Sequence, residues 1–197
     1  MRATAIRGDI RDLITDAADR LLARYGYQKM TMDDLAREVG VAKGTLYLHF
    51  AGKEEVTLSV VERIVSRVTR QLQAISESDR PPAARLRLML IARVMIRFDS
   101  LSHYTQNLSD LLAALRPSLL ARSERQYKEE ARLLAEVLKD GQRAGVFARR
   151  DPQSTAYALV QATNSLLPSN LTTRELGERG DVEKQIARIA DLLINGL

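Results

Sequence analysis

From Ile10 to Leu22, apolar side chains recur at i, i+3, i+4, i+7, i+8, i+11 and i+12 (Ile10, Leu13, Ile14, Ala17, Ala18, Leu21, Leu22). That spacing is one stripe of an amphipathic helix with 3.6 residues per turn. Stripes of this period return along the whole chain, and no run alternates as a half-buried strand would. A chain patterned in this way buries helix on helix. The expected fold class is all-α.

Local signals divide the pattern into elements. Asp9 and Asp12 sit where a cap and a first-turn acid belong, and Tyr25-Gly26-Tyr27 supplies a glycine stop. Thr31 with Asp34 three residues on predicts a capped second helix, whose stripe Met32, Leu35, Ala36, Val39 ends at Gly40. A tight turn then leads into a third helix, where Leu46 and Phe50 share a face at i, i+4. Lys53-Glu54-Glu55 opens a fourth helix running to about Ile75, with acids placed favourably for its dipole. The stretch SESDRPP, 76 to 82, combines turn formers with a proline pair suited to a new first turn. Beyond it the spacing predicts helices over 82–100, 104–115, 117–145, 152–167 and 181–195, with 168–180 as a loop. Two domains are expected. Residues 1–54 form a three-helix helix-turn-helix domain, and residues 55–197 form a helical effector-binding and dimerisation domain joined to it by the long fourth helix.

Composition narrows the function. With no cysteine in the chain, disulfides, thiolate metal sites and cysteine nucleophiles are excluded. Two histidines isolated in sequence and no phosphate-binding glycine loop argue against an enzyme, and no cofactor is expected. The N-terminal MRATAIRGDIRDL lacks an apolar h-region and LMLIARVMI, 88 to 96, is too short to span a bilayer, so a cytoplasmic protein without membrane contact is expected. The net charge of +5 invites a nucleic-acid partner. Its distribution does not locate one: residues 1–80 hold 13 basic and 12 acidic side chains, the remainder 17 and 13.

The segment GVAKGTLYLHF, 40 to 50, is a helix made from poor materials. Ala42 stands where a hydroxyl would cap it, a loss of about 1 kcal/mol, and Gly44 in the first turn costs roughly another 0.8–1 kcal/mol. Two short helices joined by a glycine turn make a helix-turn-helix, whose second helix enters the major groove. The run DLITDAADRLLARYGYQKMTMDDLAREVGVAKGTLYLHFAGKEEV, 12 to 56, resembles the DNA-binding domain of the tetracycline-repressor (TetR) family. Gly40-Val41, Lys43-Gly44-Thr45-Leu46-Tyr47, His49-Phe50 and Lys53 all match that family's pattern.

The resemblance implies a transcriptional regulator, most simply a repressor that binds a palindromic double-stranded operator as a homodimer and is released by a small-molecule effector. The alternatives are a helical DNA-binding protein without an effector and, more remotely, an α-helical enzyme. The expected DNA contacts are Thr31, Lys43, Gly44, Thr45, Tyr47, Leu48, His49 and Lys53. Glycine would admit the backbone to the groove wall and free first-turn N–H groups to face a phosphate. Lys43 suits a guanine edge or a phosphate, Thr45 and Tyr47 suit phosphates, and Lys53 with the backbone at Thr31 would clamp the sugar-phosphate chain. Leu48 departs from the basic or aromatic residue common there. In the second domain, Met95, Phe98, Tyr104, Asn107, Tyr127 and Gln161 are candidates to line an effector pocket. Leu159, Val160, Thr163, Leu167, Ile186, Ile189 and Leu193 are candidates for the dimer interface. Arg93 and Arg97, at i, i+4 on an otherwise apolar helix, are expected to be solvated, or else to meet an anionic effector.

Overall fold

Helices fill the residues that the computed structural model describes, 2–104, 108–167 and 177–197, and no strand occurs among them. In chain order they are α1 (Arg2–Lys29), α2 (Met32–Val39), α3 (Lys43–Tyr47), α4 (Lys53–Ser76), α5 (Pro82–Leu101), α6 (Leu108–Arg143), α7 (Pro152–Thr163) and α8 (Arg179–Asn195). Short 3₁₀ turns follow α5 and α7. Among the described residues no helix is long and apolar enough to cross a membrane. The chain packs as two units, Met1–Arg63 with His103–Arg116, and Ile64–Ser102 with Pro117–Leu197. Helices α4 and α6 thus each give one segment to either unit.

In the first unit the local signals read from sequence are realised. Gly26 breaks the α1 backbone at φ 76°. Thr31 closes a capping box: its hydroxyl accepts from the Asp34 N–H at 3.1 Å, while the Asp34 carboxylate accepts from the Thr31 N–H at 3.1 Å. Gly40 ends α2 in the left-handed conformation at φ 77°. Ile14, Ala17, Ala18 and Leu22 of α1, Leu35 of α2, Leu46 of α3 and Phe50 are buried. A fully buried side chain of this size contributes about 1.5–3 kcal/mol, which lets α3 persist as a single turn and a half of helix despite its weak composition.

The second unit buries Val68 and Leu72 of α4, Leu86, Met89 and Leu90 of α5, Leu134 and Leu138 of α6, Leu159 and Val160 of α7 and Ala190 of α8 in one cluster. Phe147 joins that cluster by lying on Gly141, where any Cβ would overlap its ring. Gly145, at φ 70°, makes the turn that brings Phe147 back.

One boundary differs from expectation. Helices over 104–115 and 117–145 were the sequence reading, with Pro117 opening the second; α6 instead runs unbroken through Pro117. An internal proline costs about 3 kcal/mol. Burial of Leu111 and Leu115 before it and of Ala131, Leu134 and Leu138 beyond it offsets that cost.

Candidate nucleic-acid interface

The turn between α2 and α3 fixes the surface on which the expected DNA contacts lie. The Gly40 and Val41 N–H groups both donate to the Ala36 carbonyl, at 2.9 and 3.0 Å, which closes the connection. Leu46 is pinned in the core, so Lys43, Gly44, Tyr47 and Leu48 are left exposed and Thr45 and His49 half-exposed. Tyr47 retains 49% of its surface and Leu48 83%, large apolar areas with no folding role. Ala42 makes no side-chain cap, and the Thr45 N–H is taken by the Ala42 carbonyl at 2.9 Å.

Lys43 is not idle. Its ammonium donates to the Asp33 carboxylate of α2 at 2.9 Å, and this hydrogen bond holds the ammonium above the ordinary lysine range, so it carries full charge at neutral pH. The bond joins the two helices of the motif at an exposed point, where an ion pair is worth little and is easily exchanged for another partner.

Two of the eight expected contacts also have partners within the fold. The Lys53 ammonium donates to the Tyr27 carbonyl at 2.9 Å and lies 4.4 Å from the centre of the Tyr27 ring, so it ties the start of α4 to the end of α1. The Thr31 N–H and hydroxyl both point at Asp34, the hydroxyl donating at 2.6 Å. Capping, rather than an open backbone donor, is what Thr31 provides.

A residue that the sequence reading did not select, Arg11, braces the far end of the same surface. Its guanidinium stacks 4.1 Å from the centre of the Phe50 ring and donates to the His49 carbonyl at 2.6 Å, with Glu55 3.6 Å away. Only proximity in space relates Arg11 to His49, which lies 38 residues along the chain.

The Tyr47 ring stands out from α3 with no recorded hydrogen bond. Tyr47→Phe is therefore expected to reduce duplex affinity by only a few-fold through the lost hydroxyl. Tyr47→Ala should reduce it further by removing the ring, with the thermal midpoint unchanged in both. Titration of each variant against one labelled duplex measures the order.

The candidates in the second unit divide. Met95 and Phe98 are buried, and Tyr127 packs partly buried against the main cluster. Tyr104 belongs to the first unit, where its buried hydroxyl donates to the Asp19 carboxylate of α1. Burial, and then this bond, push the Tyr104 hydroxyl well above the usual tyrosine range. Gln161 is exposed on α7, donating to the Tyr157 hydroxyl at 3.0 Å and accepting from Asn164 at 2.6 Å. Asn107 lies outside the described residues. Tyr157 forms one wall of an open groove of about 1200 Å³ between α6 and the start of α7, with Arg125, Lys128 and Arg132 along it.

Arg93 and Arg97 correct the expectation of solvated arginines. Their side chains are 0% and 9% exposed and share the carboxylate of Glu130, itself 1% exposed. Arg93 Nε donates to Glu130 at 2.8 Å, and its terminal nitrogens donate to the Val160 carbonyl at 3.2 Å, to the Asn164 side chain at 2.9 Å and to the Thr163 hydroxyl. Arg97 donates to Glu130 and, at 2.7 Å, to the Arg93 carbonyl.

The stripe assigned to dimerisation is likewise taken up within the chain. Leu159, Val160, Thr163, Leu167 and Ile186 are buried, and Ile189 and Leu193 are half-buried, with Leu193 packed on the main cluster. The exposed face of α7 is a different one, Ser154, Ala158, Gln161 and Ala162, continued by Ser165 in the turn after it, and on α8 Leu192 is 67% exposed. Among the described residues no group of three or more histidine or acidic side chains is placed to hold a metal ion.

Comparison with known proteins agrees with this layout. Residues 14–60 match the family model described as bacterial regulatory proteins, tetR family, and residues 79–167 match one described as tetracyclin repressor-like, C-terminal domain. An uncharacterised HTH-type transcriptional regulator of Bacillus subtilis, YhgD, is 25% identical over 162 residues, 81% of this chain and 83% of that protein. The regulator EthR of Mycobacterium tuberculosis is 35% identical over 72 residues, 36% of this chain and 33% of its own length. An uncharacterised HTH-type regulator of Haemophilus influenzae is 36% identical over 73 residues, 37% of this chain, and the match spans only 39% of that relative. Among solved structures, a regulator from Pectobacterium atrosepticum superposes with a TM-score of 0.75 at 23% identity, over 98% of this chain and 96% of that one. PfmR of Thermus thermophilus superposes with a TM-score of 0.63 at 22% identity, over 95% and 96%. At these identities the structural likeness is one of fold.

Proposed function

Because the chain belongs to the TetR family of bacterial regulatory proteins, we propose that it is a DNA-binding transcriptional regulator, a repressor that grips a palindromic operator as a homodimer and lets go when a small molecule binds its body. The observation that carries this reading is the surface of α3. Lys43, Gly44, Tyr47 and Leu48 are exposed on a helix held rigidly by Leu46 and by the α2 turn. Folding does not need these side chains. In a two-fold dimer, two such helices meet successive major grooves roughly 34–36 Å apart.

Tyr47, Thr45 and His49 supply groups for the phosphate chain, and Lys43 and Leu48 reach the base edges, Leu48 through apolar contact with a thymine methyl. Arg11 holds the end of this surface by stacking on Phe50. The dimer forms through the exposed small-residue face of α7 and the Leu192 side of α8, since the stripe facing inward is already filled. Ala158, Ala162 and Ser165 permit close helix approach there. The effector shifts the population between a dimer that fits the operator and one that does not.

Selection of bound duplexes from a random library tests the reading. The wild type should enrich a palindrome with half-sites about one helical turn apart, and Lys43→Ala should bind that duplex roughly tenfold more weakly at an unchanged unfolding midpoint. Enrichment of no sequence at low ionic strength would overturn it. A DNA-binding protein without an effector is the second reading. A thermal-shift screen against small molecules separates the two, since a ligand that binds only the folded state raises its stability.

A further inference from the structure

The geometry points to Asp33 as a base-reading residue, which together with Lys43 recognises one C·G pair in each half-site; this rests on the assignment of α3 to the major groove. Asp33 occupies the first turn of α2, yet it is not part of the cap. Asp34 closes the capping box with Thr31, whereas the one hydrogen bond recorded for Asp33 is the one it accepts from Lys43. The Asp33 and Lys43 side chains are 61% and 47% exposed, and Asp33 is bonded directly to Lys43 of the α3 surface. A buried role is excluded. Folding gains only the modest benefit of an acid in the first turn of α2 and of an exposed ion pair, neither of which requires an acid beside a path of phosphates.

The pair presents an acceptor and a donor 2.9 Å apart. A Watson–Crick pair presents a complementary set in the major groove, because the cytosine amino group and guanine O6 are themselves joined by a hydrogen bond, typically about 2.9–3.0 Å long. Laid edge to edge, Asp33 accepts the outward N4–H of cytosine while Lys43 donates to O6 of its guanine. Neither has to release the other. Guanine N7, next to O6, offers Lys43 a second acceptor.

The other three pairs fit less well for stated reasons. In an A·T pair, adenine N6 supplies the donor, but N7 beside it turns a lone pair toward the carboxylate, and thymine has a methyl where guanine has N7. In G·C and T·A the order of donor and acceptor is reversed, so carboxylate meets carbonyl and ammonium meets amino group. The pair therefore selects orientation first, and C·G over A·T second.

Sequence selection with the full-length protein and two variants tests this. Asp33→Asn keeps the shape but offers both a donor and an acceptor, the arrangement that matches adenine N6 and N7. Its selected operators should change from cytosine to adenine at one position of each half-site and nowhere else. Asp33→Ala should lose the preference at that position, with discrimination falling roughly tenfold to a hundredfold. Thermal midpoints should fall by no more than a few degrees, because the Asp34 cap is intact and only a first-turn acid and an exposed ion pair are lost. Identical base preferences in wild type and Asp33→Asn would overturn the proposal. So would a uniform rise in affinity for all sequences, which is the signature of an acid that merely repels phosphates. Failure of the wild type to select any sequence would sink the groove assignment itself and is thereby distinguishable.

Discussion

Glu130→Gln is expected to destabilise the protein by about 3–5 kcal/mol, the loss typical when one partner is removed from a buried ion pair. In the wild type one carboxylate, 1% exposed, faces two guanidiniums that are 0% and 9% exposed. The cluster already carries one more positive charge than negative, and the substitution leaves two cations with no counter-ion. At roughly 2–4 °C per kcal/mol for a chain of this size, the thermal midpoint should fall on the order of 10 °C. Arg97→Met should behave in the opposite way. It leaves a neutral Arg93–Glu130 pair, with Arg93 still bonded to Val160, Thr163 and Asn164, and should cost less than about 1.5 kcal/mol or stabilise, as apolar replacement of a buried charge often does. Equal losses in the two variants would show that the charges are not balanced in this way.

The same cluster sets a pH dependence. Burial alone would raise the Glu130 carboxyl, but Arg97 and Arg93 outweigh it and hold the group below the ordinary carboxylate range. A carboxylate lowered on folding contributes stability that is present above its unfolded value and lost as pH falls through the folded one. Wild-type stability should therefore drop on acidification below the usual glutamate range. That component should be missing in Glu130→Gln, as denaturant titrations across pH would show.

How far the sequence could be read follows from the span of each interaction. The Thr31–Asp34 box and the Gly40 stop close within four residues, so residue type and spacing sufficed. The α3 surface was legible because Leu46 and Phe50 declare its buried side. Arg93 and Arg97 were not, because their burial depends on Glu130, 37 and 33 residues along respectively, and on Val160 to Asn164 farther on. On its own helix an arginine looks the same whether water or a carboxylate awaits it. The contact of Lys53, expected as a phosphate clamp, with Tyr27 was hidden for a similar reason: Tyr27 lies 26 residues earlier. The α7 stripe of Leu159, Val160 and Thr163 marks a covered face, but periodicity cannot say whether a neighbouring helix or a second subunit covers it. Here α5 and α6 do. Pro117 was not legible because a proline that suits a first turn is equally compatible with an exposed position inside a helix held by buried residues on either side.

The weak composition of α3 leads to the second large expected effect. Gly44 has an ordinary helical backbone, and a Cβ built on it meets nothing within 4 Å. Nothing in the fold requires a glycine there, and alanine is favoured inside helices by roughly 0.8–1 kcal/mol. Gly44→Ala should accordingly leave the thermal midpoint unchanged or raise it. The added methyl, however, points into open space beside Lys43 and Tyr47, on the surface proposed to meet the operator. If backbone and groove wall are in contact, relieving the overlap costs on the order of 1.4 kcal/mol, a factor of ten, per half-site. Two half-sites in a dimer make that roughly a hundredfold. Ala42→Ser is the matched control. It strengthens the same helix by supplying the missing cap, worth about 1 kcal/mol, without touching position 44, and should leave operator affinity near the wild-type value. A Gly44→Ala protein that is more stable and yet binds as well as wild type would mean that the helix does not approach DNA through its first turn. Loss of binding in both variants would instead implicate helix stiffness rather than the methyl.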